Sequence, residues 1–185
     1  MDQRTVMLVG VGVVVLLLVL VWAYMSRRRR VNLRERFGPE YERTVEAVGP
    51  ARADSVLQAR AERVSRFNLR KLTQDQADAF VREWRLIQAR FVDDPERAVG
   101  EADQLVTQVM TARGYPLADF DRRSEDLSVD HPVVVQNYRT ARVLALRRQR
   151  GEAGTEEMRQ AVVNYRALFD ELLGVDARGP HRRAS

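Results

Sequence analysis

The strongest hydrophobic pattern in the chain is an unbroken apolar run from Val6 to Met25, which contains no charged residue. Because a helix rises about 1.5 Å per residue, roughly twenty apolar residues span the ~30 Å hydrocarbon core of a bilayer. Gly10 and Gly12 are tolerated in such a span, since each backbone group stays hydrogen-bonded within the helix. The run therefore predicts an N-terminal transmembrane helix.

A basic collar follows the run and consists of Arg27, Arg28, Arg29 and Arg30. Two aromatic residues, Trp22 and Tyr24, come just before it, where amphipathic rings favour the headgroup level of a membrane. Basic clusters next to a span attract anionic lipid headgroups at about 1 kcal/mol per charge and also stop transfer through the membrane. We expect the aromatic pair and the collar to mark the membrane boundary.

The collar also predicts the orientation, because cationic flanks stay on the cytoplasmic side. The only charged groups before the span are Asp2, Arg4 and the amino terminus. We therefore expect a single-pass protein of the bacterial inner membrane, with its N-terminus outside and its main domain cytoplasmic. The alternative is a signal peptide cleaved near Val21-Trp22-Ala23, which would export the domain. The apolar run is long for a signal peptide's ~7–15 residues, and the arginines would resist translocation.

From Val31 onward, apolar residues recur at the helical period and no segment requires a strand. The predicted fold class is all-α, with the transmembrane helix followed by a soluble multi-helix bundle. We divide the chain into an anchor with its collar at 1–30, a juxtamembrane helical segment at 31–72, a helical bundle core at 73–174 and a disordered tail at 175–185.

Caps and breakers predict the helix boundaries. Pro39 opens a helix toward Val48, and Gly49-Pro50 ends it. The predicted side-chain N-caps of later helices are Thr73, Asp94, Asp130 and Thr155. The side chains that the periodicity predicts to be inward include Phe67, Phe80, Trp84, Phe91, Leu105, Met110, Phe120, Val133, Tyr138, Tyr165, Leu168 and Phe169. A short echo, Asn137-Tyr138-Arg139 and Asn164-Tyr165-Arg166, recurs on successive predicted helices.

Charge changes this picture little. The pI of about 10.2 and net charge of +5 suggest nucleic-acid binding, but five arginines and one aspartate in residues 1–30 contribute +4 of that charge. The rest of the chain is nearly neutral, and its arginines alternate with carboxylates instead of forming a phosphate-binding face. We therefore expect no nucleic-acid partner. Cysteine is absent, which excludes disulfides and thiolate metal sites.

The only candidate chemistry lies between Asp119 and His131. An enzyme site could combine His131 with the acidic segment 119–126, since histidine and carboxylates move protons or bind metals. A calcium loop is not expected here, because Arg122-Arg123 interrupts the required spacing of acidic residues. We expect Asp119, Asp121, Glu125 and Asp126 to form a solvated helix face instead. The sequence predicts no catalytic, cofactor-binding or metal-binding residue.

Four segments resemble a known family: Leu33 to Tyr41, Arg90 to Asp93, Arg113 to Pro116 and Tyr165 to Phe169. In these segments the chain is similar to an uncharacterised bacterial family of single-pass, membrane-anchored helical proteins. The resemblance implies a bacterial source and a recurrent domain, and it implies no activity, cofactor or catalytic residue.

The sequence favours a noncatalytic helical interaction or scaffold protein held at the lipid bilayer, with a protein partner and no identified small-molecule substrate. The segment from Ala51 to Lys71 is the predicted docking helix. The alternatives are the enzyme around His131 and the exported domain.

Overall fold

The structure, a computed structural model, describes residues 16–17, 20–21, 24–25, 27–28 and 31–174. Within these residues all regular structure is helical, which confirms the all-α prediction. After a helical stretch at 31–37, the helices are α1 (Pro39–Val48), α2 (Pro50–Val64), α3 (Gln74–Arg90), α4 (Pro95–Ala112), α5 (Phe120–Asp130), α6 (Val134–Gln149) and α7 (Thr155–Leu173).

The predicted membrane span, Val6 to Met25, lies mostly outside the described residues, as does the predicted tail at 175–185. Among the helices that the structure does describe, none is long and apolar enough to cross a bilayer. The transmembrane helix therefore stays a prediction.

The chain divides into two compact units, Met1–Gln58 and Ala59–Ser185, and the division falls within α2. In the first unit, the Tyr41 hydroxyl donates a hydrogen bond of 3.0 Å to Asp54 Oδ1 and so joins α1 to α2. Gly49 separates the two helices with φ of 81°, a backbone conformation that favours glycine. The predicted break at Gly49-Pro50 is confirmed.

In the second unit, α6 and α7 form the most extensive helix pair, and α4 packs against α3, α6 and α7. The apolar faces of these four helices meet in the core of the second unit. There Trp84 of α3 stacks on Phe169 of α7 with ring centroids 4.8 Å apart. The core predicted from periodicity is largely confirmed, since Leu105, Met110 and Leu168 are also almost fully buried. Val133 is an exception and is 67% exposed, because it precedes the first turn of α6.

Two of the four predicted caps are confirmed. The Thr73 hydroxyl accepts the N–H of Gln76 at 3.3 Å, and the Gln76 side chain accepts the N–H of Thr73 at 3.0 Å. Asp94 likewise accepts the N–H of Arg97 at 3.0 Å, ahead of Pro95. Each cap satisfies backbone donors that the first turn leaves free.

The other two predicted caps are wrong. Asp130 is the last residue of α5, so its backbone is already helical, and α6 begins at Val134 without a side-chain cap. Thr155 is the first residue of α7, and the N-cap is Gly154, whose N–H donates to Glu157 at 2.9 Å. A capping side chain needs a non-helical backbone, and neither residue has one.

The turn after α4 is held against the segment that leads to α3. Gly114 has φ of 94°, and a Cβ placed on it would lie 2.3 Å from the Asn68 carbonyl oxygen. The glycine predicted to end α4 is thus required both by its backbone conformation and by the close approach of Asn68.

The neighbouring residue ties this turn to another helix. Arg113 donates a hydrogen bond of 2.8 Å to the Leu172 carbonyl oxygen and thereby satisfies an end group of α7.

Candidate functional site

A cavity of about 80 Å³ lies between α4 and α6 and is also lined by a residue of α7. The α4 wall includes Glu96, Gly100 and Asp103, and the α6 wall includes Arg142 and Arg148. Tyr165 of α7, which has no exposed surface, lines the same space. The close packing of α4, α6 and α7 therefore brings together residues that are far apart in the chain.

Two buried polar atoms lie behind the cavity wall: Asp103 Oδ1 and the Tyr165 hydroxyl. Neither makes a hydrogen bond of normal geometry with the residues that the structure describes, but the Tyr165 hydroxyl interacts with the Asp103 carboxylate. Burial raises the pKa of Tyr165, and the negative charge of Asp103 raises it further, so this phenol stays protonated at neutral pH.

Charged side chains surround this pair. Arg142 Nη1 lies 3.8 Å from Asp103 Oδ2, which is too long for a hydrogen bond and leaves the carboxylate only partly compensated. The Arg142 guanidinium also lies over the ring of Phe120, 5.7 Å from its centroid. Nearer solvent, Arg148 Nε lies 3.3 Å from Glu96 Oε2. The cavity thus presents two carboxylates and two guanidinium groups.

Gly100 leaves the α4 side of the cavity open. It lies inside the helix with no positive φ, and a Cβ built on it would meet nothing within 4 Å. A helix-interior glycine costs about 1 kcal/mol relative to alanine. Neither backbone strain nor close packing requires glycine at this position, and its effect is to leave space beside Asp103.

A second tyrosine extends the polar cluster into the core. The Tyr138 ring packs edge-on to Tyr165 at 6.1 Å between centroids, so the two tyrosines of the sequence echo meet between α6 and α7. Burial raises the pKa of Tyr138 to about 12, and the charge of Asp103 contributes to that rise. The Arg123 guanidinium donates to the hydroxyl of Thr107, which in turn donates to the Asp103 carbonyl oxygen at 2.9 Å.

His131 and Asp126, which belong to the enzyme alternative, have different hydrogen-bond partners in the structure. His131 Nδ1 lies 2.9 Å from Glu171 Oε1 of α7, whereas Asp126 binds Arg63 of α2. The prediction that Asp126 belongs to a solvated face is wrong, because it is only 2% exposed and accepts the Arg63 guanidinium. Asp119, in the same segment, is the N-cap of α5 and accepts the N–H of Arg122 at 2.8 Å.

The predicted membrane-boundary residues are described only in part. Tyr24, Arg27 and Arg28 are helical and exposed, and the Arg28 guanidinium lies over the Tyr24 ring at 5.2 Å from its centroid. Trp22, Arg29 and Arg30 lie outside the described residues. Their contact with lipid headgroups stays a prediction.

Among the residues that the structure describes, no group of three or more carboxylate or histidine side chains could hold a metal ion.

Sequence reasoning missed the cavity residues Asp103, Arg142 and Tyr165. One signal was available: Asp103 follows Val99 by four residues and precedes Val106 by three, so a carboxylate interrupts the buried stripe of α4. Gly100 in the middle of the same helix was a second signal. Tyr165 was correctly predicted as core, but its place beside a cavity depends on how the three helices pack.

No protein-family description, curated protein or solved structure matches this chain. The resemblance to the anchored bacterial family therefore stays a prediction.

Proposed function

We propose that this chain is a single-pass membrane protein that holds a noncatalytic helical interaction or scaffold domain at the cytoplasmic face of the bacterial inner membrane. The observation that carries the proposal is the uncharged apolar run from Val6 to Met25 followed at once by four arginines. Such a run has the length of a bilayer's hydrocarbon core, and its basic flank favours retention on the cytoplasmic side.

The described residues of this region agree with a membrane environment. All of them are helical, and the large apolar side chains are at least half exposed: Leu16, Leu17, Leu20, Val21 and Met25. Exposed apolar side chains in such helical residues are unfavourable in water and favourable in lipid. The Arg28 and Tyr24 pair fits the headgroup level, where aromatic and cationic side chains are enriched.

An interaction role follows from tethering. An anchor confines the helical domain to the membrane surface and raises its effective concentration toward partners there, without any new contact. The second unit supplies a well-packed scaffold for this role, because its core includes fully buried Trp84, Tyr138 and Phe169.

The anchor is tested by fractionation of cells that express the full chain. We expect the chain to remain with membranes after an alkaline carbonate wash. Val13→Arg together with Leu17→Arg should release it, since each charge near a span centre costs about 2.5–3.5 kcal/mol. The matched control, Val13→Ile with Leu17→Ile, keeps the apolar character and should remain in the membrane. Release of the unchanged chain by carbonate would contradict the anchor.

The interaction role is tested by crosslinking in cells and capture of the full chain from solubilised membranes. We expect a discrete crosslinked protein that is lost with the double-arginine variant and retained with the double-isoleucine control. If the same protein were captured equally with both variants, tethering would not matter for the interaction.

A further inference from the structure

Helix α6 departs from the alternation of arginines and carboxylates that the sequence predicts for the residues after 30. It contains Arg139, Arg142, Arg147 and Arg148, ends with Arg150 as its C-cap, and has no carboxylate. The helices α3, α4, α5 and α7, by contrast, each carry acidic residues. The positive charge of the second unit is therefore concentrated on α6.

The outward side of α6 combines arginines with exposed apolar side chains. At about 100° per residue, five residues fall within roughly 100° of arc: Arg139, Val143, Leu146, Arg147 and Arg150. Val143 is 55% exposed, Leu146 is 38% exposed, and the side chain of Arg150 is 63% exposed. We call these five residues the α6 outer face.

The ion pairs of the α6 outer face lie at the surface. Arg147 Nη1 lies 2.7 Å from Glu157 Oε1, and Arg150 Nε lies 3.6 Å from Glu152 Oε2, with all four side chains at least one-third exposed. Pairs this exposed contribute little to stability. A guanidinium also has five N–H donors, so an arginine that keeps its carboxylate still has donors for a second oxyanion.

A layer of anionic lipid headgroups fits both parts of this face. Guanidinium groups bind phosphate through two parallel hydrogen bonds, and each basic side chain near an anionic surface strengthens binding roughly fivefold. Val143 and Leu146 can meet the boundary between headgroups and acyl chains, as the apolar residues of helices that lie on a membrane do. A nucleic acid offers phosphates to the arginines but no apolar layer to Val143 and Leu146.

We propose that the α6 outer face docks the second unit on the anionic lipid surface of the membrane that holds the chain. This proposal rests on the proposed anchor, because tethering gives a weak surface contact a high effective concentration. Three arginines strengthen binding by about a hundredfold, which is weak for a free protein and sufficient for a tethered one. Docking determines which side of the bundle lies against the bilayer and leaves the opposite side for protein partners.

The test uses the full chain in lipid nanodiscs with a single cysteine, Val143→Cys, that carries an environment-sensitive fluorophore. The natural sequence has no cysteine, so the label has one site. We expect a blue shift of the emission in discs that contain phosphatidylglycerol and none in discs of phosphatidylcholine alone. The matched control is Gln108→Cys, at an exposed position of α4, whose emission should be the same in both discs. No blue shift at Val143→Cys, or equal shifts at both positions, would overturn the proposal.

Charge variants separate lipid docking from other contacts. Arg147→Gln together with Arg150→Gln should abolish most of the blue shift at Val143→Cys. The matched pair, Arg82→Gln with Arg85→Gln, removes the same charge from exposed positions of α3 and should retain the shift. Equal loss with both pairs would overturn the assignment to this face. A label at Val143→Cys that is shielded in native membranes but unshifted in both discs would assign the face to a protein partner and overturn lipid docking.

Elution of the chain with the discs separates this proposal from the anchor. An anchored chain elutes with both kinds of disc, and absence of the blue shift then contradicts docking alone. A chain that elutes only with the anionic discs, and shows the blue shift there, supports docking and contradicts the anchor. Elution with neither kind of disc contradicts both.

Discussion

Arg63 Nε donates a hydrogen bond of 2.8 Å to Asp126 Oδ1, and this contact joins the end of α2 to α5 within the second unit. The Arg63 guanidinium also reaches Glu125 at 3.1 Å, and Arg60 lies 3.4 Å from the same carboxylate. Asp126 is the most buried member, with its side chain 3% exposed. Part of the predicted docking segment, Ala51 to Lys71, is therefore used in contacts within the second unit.

Arg63→Ala should destabilise the chain markedly. It leaves the Asp126 carboxylate buried without its main partner, and loss of one member of a buried pair typically costs about 3–5 kcal/mol. Because Arg63 is itself a quarter exposed, we expect the lower end, about 3 kcal/mol in the free energy of unfolding measured by denaturant. Arg66→Ala, at an exposed position one turn on, should cost less than about 0.5 kcal/mol. Equal effects of the two variants would mean that the ion pair contributes nothing.

Gly114→Ala and Gly151→Ala separate backbone strain from steric clash. Both glycines have positive φ, 94° and 74°, but a Cβ on Gly114 would lie 2.3 Å from the Asn68 carbonyl oxygen, whereas one on Gly151 meets nothing within 4 Å. We expect Gly151→Ala to cost about 1 kcal/mol from strain alone. Gly114→Ala should cost at least about 2 kcal/mol more, since backbone must move to admit the methyl group. Thermal unfolding of the two variants side by side measures the difference.

Thr73→Ala and Thr155→Ala test the corrected helix starts. Thr73 accepts a backbone hydrogen bond at the N-cap of α3, so its loss should cost about 1 kcal/mol. Thr155 is already the first helical residue of α7, and alanine is the better helix former, so Thr155→Ala should be neutral or slightly stabilising. Equal destabilisation by both would restore Thr155 as a cap.

We expect the chain to unfold at alkaline pH because three tyrosines of its second unit are buried. Burial raises the pKa values of Tyr115, Tyr138 and Tyr165 above the ordinary value near 10, with Tyr138 at about 12. Between the ordinary pKa and the raised pKa, these tyrosines have lost their protons in the unfolded chain and retain them in the native chain. Their contribution to the free energy of unfolding is therefore fully present below about pH 10 and is lost as the pH rises. The part of the tyrosinate absorbance that comes from these three tyrosines should rise together with the change in tryptophan fluorescence, whereas the exposed Tyr24 ionises without unfolding.

Tyr138→Phe provides the check on that transition. It removes one titrating group, so the loss of stability above pH 10 should become less steep, whatever its effect at neutral pH. Tyrosinate absorbance that rises fully near pH 10 while the fluorescence stays native would contradict the buried positions of these hydroxyls.

The sequence predicted the helices of the second unit well because their signals are local. The Thr73 and Asp94 caps and the buried stripe through Leu105 and Met110 are patterns within a few turns of one helix. The prediction of Asp130 as a cap was wrong because an aspartate shortly before a proline also fits a helix start. In the structure, α5 continues through Asp130, and its last turn buries Leu127 and Val129.

The cavity could not be predicted in the same way. Asp103, Arg142 and Tyr165 lie on three helices, and their meeting depends on the rotation and register of α4, α6 and α7, which no local pattern encodes. The echo around Tyr138 and Tyr165 was visible in the sequence, but the edge-on contact of the two rings follows only from the packing of α6 against α7. Likewise, Arg63 and Asp126 are 63 positions apart, and each alone resembles a surface charge.

The most direct test of the central claim uses the natural absence of cysteine, which allows single cysteines to be introduced and labelled without background. Gln3→Cys lies before the predicted span, and Gln160→Cys lies at an exposed position of α7. With a membrane-impermeant maleimide on intact spheroplasts, we predict labelling of Gln3→Cys at once and of Gln160→Cys only after the membrane is permeabilised. Labelling of Gln160→Cys in intact spheroplasts would contradict a domain held at the cytoplasmic face.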